Sequence, residues 1–381
     1  CSRESRSFRR KLMKKNILLA VTGSIACSKA ELFIKQYGSL YNFKVISTYN
    51  ALQFLSDEFK KNNQVLSDWG DLKGTPHIEL ARWADIFLIY PATANVIAKM
   101  ANGIADDLLT STTLMFGSGI YICPAMHEEM YLNNTTQNNL KKLSQDNFIV
   151  GSRYGDLDIG DRGYGRLIEP IDLKNNIEKT LGKVIVTSGP TIEAIDDVKV
   201  ITNKSSGKQG RAIAIELSAR GYETIYIHSS QILPIPGIQN VAFTSSSELL
   251  TKINENIDNC EYLFMTAAVS DFTTKKENGK ISRDSGNIQL NLTPNIDLVK
   301  TIKDKNEDIV TVAFSAQVND DLNFDKIKSK NCDYLVINNI LKNNFGSDHN
   351  KIKIINRKEL IYESNEKSKS DIAYELLDVL L

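Results

Sequence analysis

Two short runs of apolar, largely branched residues open the two halves of this chain in the same way, and they narrow its fold more than any other feature. Asn16–Val21 (NILLAV) ends in Thr22-Gly23-Ser24 and gives way to a helical pattern from Ile25 to about Tyr37. Lys183–Val186 (KVIV) ends in Thr187-Ser188-Gly189-Pro190. A buried strand, a turn of small residues and then a helix is the start of a β-α-β unit. Further apolar runs follow at Phe43–Ser47, Ile86–Tyr90 and Ile120–Cys123, and in the second half at Thr224–His228, Tyr262–Thr266, Ile309–Phe314 and Tyr334–Ile337. Strands alternating with helices predict an α/β chain with parallel sheets covered on both faces. At 381 residues the chain exceeds what one ordinary core holds. The polar Asp172–Gly182 stretch lies between the two openings, so we expect domains at 13–172 and 183–381 with a linker at 173–182. Residues 1–12, polar and basic, are expected to be a disordered or non-native tail ahead of Met13.

Composition removes several function classes. Lys plus Arg and Asp plus Glu both total 46, so the formal charge is zero and gives no support for non-specific nucleic-acid binding. No apolar run reaches the length of about 18 residues that a membrane span needs. The five cysteines, Cys1, Cys27, Cys123, Cys260 and Cys332, form no CxxC pair, so neither a disulfide framework nor a zinc site is expected. A reducing cytoplasm suits such a chain.

Open parallel sheets bind ligands beyond the carboxyl ends of their strands, so chemistry should lie just after each apolar run. After the first comes Gly23-Ser24-Ile25-Ala26, where Gly allows a tight turn and a hydroxyl with helix-start N–H groups can take a phosphate. Many such turns carry no ligand, and GxGxxG is absent, which disfavours a Rossmann oxidoreductase. Downstream stand Pro91-Ala92-Thr93-Ala94-Asn95, Gly103-Ile104-Ala105-Asp106-Asp107 and Pro124-Ala125-Met126-His127, with His77-Ile78-Glu79-Leu80 before them. These ordered segments resemble the flavin-dependent decarboxylases that act on 4′-phosphopantothenoylcysteine. The resemblance implies a flavodoxin-like sheet that trimerises with FMN at subunit contacts, and Gly23, Ser24, Ile25, Thr48, Thr93 and Asn95 as FMN residues. A histidine after Gly74-Thr75-Pro76 sits on a loop or at a helix start and is most simply a surface or capping residue. The resemblance instead makes His77 an acid/base group, work that suits a side chain titrating near neutrality.

Two departures bear on that chemistry. His127 stands where the family carries an Asn that binds the substrate carboxylate. The glycine-rich flap reads Asp158-Ile159-Gly160-Asp161-Arg162-Gly163-Tyr164-Gly165-Arg166, with Ile159 where the family has its proton-donating Cys. Isoleucine has no ionisable proton, so Asp158, Asp161, His127 and Cys123 become candidate donors, Cys123 at a strand end being more simply a packing residue.

In the second half, Asn203-Lys204-Ser205-Ser206-Gly207-Lys208-Gln209-Gly210 leads into a helical run, Arg211–Arg220. Small residues, lysines and a helix start suit phosphates, although the spacing is not that of a Walker loop. With Ser188-Gly189-Pro190-Thr191, Asp197-Val198-Lys199, Ala267-Ala268-Val269-Ser270-Asp271-Phe272, Lys280-Ile281 and Thr293-Pro294, it resembles phosphopantothenate–cysteine ligase. Bacterial fusion enzymes carry decarboxylase and ligase in this order, and the ligase is CTP-dependent. By that resemblance Lys280 assists the chemistry, Asn203 holds an acyl-cytidylate, and Asp271 binds through Mg2+ or the nucleotide. Ala267, Pro294, Asn295, Ile296, Phe314, Lys326 and Lys330 would line the CTP pocket with Asp271 and Lys280. Lys199 replaces the usual Arg, and Ser282 and Arg283 stand where lysines are common. The expectation is thus a Rossmann-like ligase domain behind the flavin domain, acting on small molecules as a homo-oligomer of front-domain trimers and ligase dimers, up to a dodecamer. The rival expectations are an active ligase with an FMN-binding scaffold that does not decarboxylate, favoured by Ile159, and a non-enzymatic regulatory flavoprotein.

Overall fold

Ile17 to Val21 are fully buried, as a continuous apolar run without alternation requires: it must be covered on both faces. This run is β1 (Asn16–Val21) in a computed structural model that describes residues 14–67, 69, 74–158, 160–282, 286–319, 321–339, 341 and 346–381. Counts and absences given below are of those residues. The expected tail at 1–12, Ile159 and Arg283 lie outside them.

The chain divides into two compact units between Glu178 and Lys179. In the first, β2 (Asn42–Ser47), β3 (Ile86–Ala92), β4 (Tyr121–Pro124) and β5 (Phe148–Ile149) join β1 in the order β2-β1-β3-β4-β5, every pairing parallel. Leu18, Ala20, Phe87 and Ile89 meet Val96, Ile97, Leu109 and Leu140 from the covering helices in one core. Because β1 pairs with both β2 and β3, the winding reverses there, and the crevice beyond the carboxyl ends of β1 and β3 is the topological switch point of a flavodoxin-like sheet.

An antiparallel hairpin of β6 (Arg153–Asp156) and β7 (Arg162–Arg166) follows. Its strands are glycine-rich and charged, so no alternation announced them. Docking holds them: Met126 N–H donates to the Gly165 carbonyl at 3.0 Å, and Tyr164 N–H donates to Glu128 at 2.8 Å. The stretch expected as a linker is helical as far as Glu178, within a helix over Pro170–Glu178. A buried ion pair of Arg153 with Asp172 (2.7 Å) ties that helix to β6.

The second unit carries an eight-stranded sheet. From edge to edge it runs Gln239–Phe243, Glu223–Ser229, Lys183–Ser188, Cys260–Met265, Val310–Gln317, Tyr334–Asn339, Ile352–Ile355 and Leu360–Glu363. The first six strands are parallel, and the last two add antiparallel. The sheet is therefore mixed at one edge, beyond the all-parallel expectation. Ile185, Ile225 and Leu263 face one core while Val184, Val186, Tyr226 and Phe264 face the other, the alternation that a sheet covered on both sides demands. No helix is long and apolar enough to cross a membrane among the described residues.

Candidate functional site

In the first unit, the Thr22 hydroxyl donates to the Pro91 carbonyl (2.8 Å) and accepts from Thr93 N–H (2.9 Å). This lock fixes the ends of β1 and β3 side by side. Thr48 N–H donates to the Val21 carbonyl (3.0 Å), bringing the end of β2 to the same rim. The rim thereby gathers Gly23, Ser24, Thr48, Thr93 and Asn95, with Ile25 exposed at its edge. The helices Cys27–Tyr37 and Ala94–Ala101 both start here without a side-chain cap; Cys27 N–H donates to the Ser24 carbonyl (3.1 Å), and the start of Ala94–Ala101 presents its first N–H groups to an anion. A Cβ on Gly23 would stand 3.0 Å from the Asn50 Cβ and 3.2 Å from the Asn50 carbonyl, a tight fit that glycine relieves. Ser47 Oγ is buried with no partner at the end of β2, the kind of orphaned hydroxyl that a bound ligand satisfies. The rim therefore fits a flavin mononucleotide on geometry and chemistry.

His77 lies elsewhere in the unit, at the second position of the helix Pro76–Trp83, behind a proline suited to the first. Its ring meets Trp69 edge-on at 5.2 Å, and Nδ1 is buried without a partner. No hydrogen bond joins it to the rim or to His127 among the described residues. His127 and Asp161 do come together. His127 precedes the short helix Glu128–Leu132, and its Nε2 lies 3.2 Å from Asp161 Oδ2 while Nδ1 meets Glu129. Glu129 first, and Asp161 after it, raise the imidazole's pKa above its ordinary value. Cys123 is fully buried, and burial pushes its thiol far up, which makes it a packing residue.

In the second unit a cavity of about 680 Å³ opens beyond the carboxyl ends of the central strands. Asn203, Ala267, Asp271, Asn295, Ile296, Phe314, Lys326 and Lys330 line it. Asn203 Nδ2 donates to the carbonyls of Ala268 (3.2 Å) and Val269 (3.1 Å), which fastens the glycine-rich loop to the Ala267–Asp271 segment. Gly207 adopts a left-handed φ of 67° as the helix Lys208–Arg220 begins, and no side chain caps that helix. A Cβ on Gly210 would fall 2.2 Å from Thr266 Oγ1, so the helix approaches the sheet as closely as its backbone allows. Lys330 pairs with Asp297 at 2.7 Å, and burial, then Lys330, lowers the pKa of Lys326.

Two expected residues stand outside the cavity lining. Pro294 pairs with Phe272 in a short two-stranded ribbon. Lys280 is exposed on a segment pinned by Asp196, whose carboxylate accepts from Ile281 N–H at 2.9 Å. Conversely, His349, Asn350 and Lys369 line the cavity unforeseen. They follow the parallel strands by many residues and carry no local motif; only the return of the chain brings them in.

The DNA/pantothenate metabolism flavoprotein C-terminal domain family matches residues 180–381, and the Flavoprotein family matches 5–182. The coenzyme A biosynthesis bifunctional protein CoaBC of Bacillus subtilis (strain 168) is 34% identical over 96% of this chain and 96% of its own length. That of Vibrio cholerae serotype O1 is 33% identical, over 86% of this chain and 88% of its own. The chain belongs to the CoaBC family. Among solved structures, a PPC decarboxylase mutant complexed with pantothenoylaminoethenethiol is 27% identical, covering 44% of this chain and 98% of its own, with a TM-score of 0.41. Along this chain the Flavoprotein match precedes the C-terminal domain match.

Proposed function

We propose that this enzyme joins 4′-phosphopantothenate to cysteine at the expense of CTP and decarboxylates the product to 4′-phosphopantetheine, two consecutive steps of coenzyme A synthesis. The observation that carries this reading is the union, on one CoaBC-family chain, of a switch-point rim suited to FMN and a lysine-bearing cavity holding Asn203 and Asp271.

An amine cannot displace oxide from a carboxylate, so ligation requires activation. The carboxylate attacks the CTP α-phosphate, giving an acyl-cytidylate and pyrophosphate; cysteine's amine then takes the acyl group and CMP leaves. Lys326 and Lys330, with Lys204 and Lys208 on the glycine-rich loop, offset the triphosphate charge, and the uncapped helix start adds its N–H groups. Asn203 would orient the acyl intermediate. Groups of three or more His, Cys, Asp or Glu side chains able to hold a metal are absent among the described residues. A lone exposed Asp271 therefore suits a Mg2+ held mostly by phosphates and water. Lys280 needs its segment brought to a cavity, which a second ligase subunit can supply.

FMN, when bound, supplies the two-electron oxidation of the cysteinyl thiol that makes CO2 loss possible, and returns the pair afterwards. Thr93, Asn95 and the Gly23-Ser24 turn would hold its phosphate and ring, while His77 acts as an acid/base group across a trimer contact. Exposed Ile25 and Tyr49 at the rim support such a contact. Trimeric and dimeric contacts building a dodecamer, and a cytoplasmic setting, complete the proposal. Four unpaired cysteines among the described residues support that setting.

Incubating the purified chain with 4′-phosphopantothenate, cysteine, CTP and Mg2+ tests the reading, with pyrophosphate and product masses as readouts. The expected product is 4′-phosphopantetheine. Accumulation of 4′-phosphopantothenoylcysteine with no CO2 would reduce the first unit to a scaffold.

A further inference from the structure

We propose that His127, held by Asp161 and Glu129, delivers the proton that completes decarboxylation; this rests on the decarboxylase reading of the first unit. Loss of CO2 leaves an electron pair on the former cysteine α-carbon, delocalised onto sulfur as an ene-thiolate. A new C–H bond must form there, using that pair and a proton from the protein. The flap residue Ile159 cannot supply one.

The geometry selects the donor. β7 is docked on the segment Met126–Glu129: the Met126 N–H to Gly165 carbonyl bond and the Glu128 carboxylate on Tyr164 N–H fasten it. Gly163 and Gly165 fit against that segment without room for a side chain, since a Cβ would stand 2.6 Å from Glu128 and 2.0 Å from the Met126 carbonyl. His127 sits in this joint between helix start and hairpin. It caps nothing, and its two nitrogens are taken by carboxylates from different elements, Glu129 on its own helix and Asp161 on the hairpin loop. A ring so flanked holds its proton, and the raised pKa agrees with this. The charged groups facing it are Glu129 and Asp161, both acids. The rivals are less suited: Cys27 and Cys123 are fully buried, the thiol of Cys27 being pushed up to about 11, and Asp158 is exposed.

In the step itself the imidazolium N–H bond breaks, the α-carbon gains the proton, and neutral imidazole remains to be reprotonated by water. FMN, when bound, would return the electron pair taken earlier from the thiol, and the proton the thiol gave up then returns to sulfur. The net change is carboxylate plus proton giving C–H and CO2, with no oxidant consumed.

The test uses the full chain loaded with FMN and supplied with 4′-phosphopantothenoylcysteine, following CO2, product mass and flavin absorbance per chain. Wild type is expected to yield 4′-phosphopantetheine and CO2 in equal amounts. His127→Asn should retain flavin and release CO2, but accumulate the ene-thiol, two mass units lighter, with 4′-phosphopantetheine reduced tenfold or more. Asp161→Asn and Glu129→Gln should lower the pH at which the product-to-ene-thiol ratio halves, a shift that a merely structural role would not give. Complete conversion to 4′-phosphopantetheine by His127→Asn, with only KM changed, would overturn the proposal and leave His127 as a carboxylate binder. Absence of CO2 from wild type would instead bring down the decarboxylase reading beneath it.

Discussion

Single side chains decide whether the flap and its histidine are poised. The His127 pKa is raised in the fold, so its pairing with Glu129 and Asp161 stabilises fully below the ordinary value of about 6.5. That contribution is lost as pH rises through the raised folded value. NMR titration of His127 should give a midpoint above about 6.5, and Glu129→Gln should bring it down; a midpoint at or below the ordinary value would refute the pairing. Gly165 has φ of 111° and no space for a Cβ beside the Met126 carbonyl. Gly165→Ala should therefore cost about 1–3 kcal/mol and lift the hairpin. The expected signature is a lower thermal midpoint for FMN release with ligation unchanged.

At the level of elements, the two sites are built alike, from strand ends and helix starts. Gly210 lets the helix Lys208–Arg220 lie against Ser188 and Thr266, aiming its N–H groups at the cavity. Gly210→Val should push that start away and abolish pyrophosphate release from CTP, while CO2 release from supplied 4′-phosphopantothenoylcysteine persists. Lys326→Met should raise KM for CTP roughly tenfold, about 1.4 kcal/mol of lost phosphate pairing. Equal KM in the variant would exclude Lys326 from the nucleotide site. The hairpin β6–β7 shows an element that no local pattern announces: Gly, Tyr and charged residues become strands because Glu128 and Met126 accept and supply their hydrogen bonds.

Each unit encloses its own core, so damage should stay local. Ile185 is fully buried in the second unit, and Ile185→Ala should cost about 2–5 kcal/mol. That corresponds to a drop on the order of 10 °C in the midpoint of ligase loss, with flavin retention unaffected. Concurrent loss of flavin would contradict separate cores.

The sequence by itself determined the strands around β1 and Lys183–Ser188, since a buried apolar run between small-residue turns has few other fates. Its motifs, through the resemblance they carry, pointed to Gly23, Thr48, Thr93 and Asn95, which lie at the ends of β1, β2 and β3, and to Asn203, Asp271, Lys326 and Lys330, which line one cavity. Tertiary structure alone decided that His127 and Asp161, 34 positions apart, come within 3.2 Å of each other. It alone decided that His349 and Lys369 close the ligase cavity while Lys280 stands outside it. Those outcomes depend on which distant backbone hydrogen bonds and cores dock the connecting segments, and such long-range packing leaves no periodic trace in the chain.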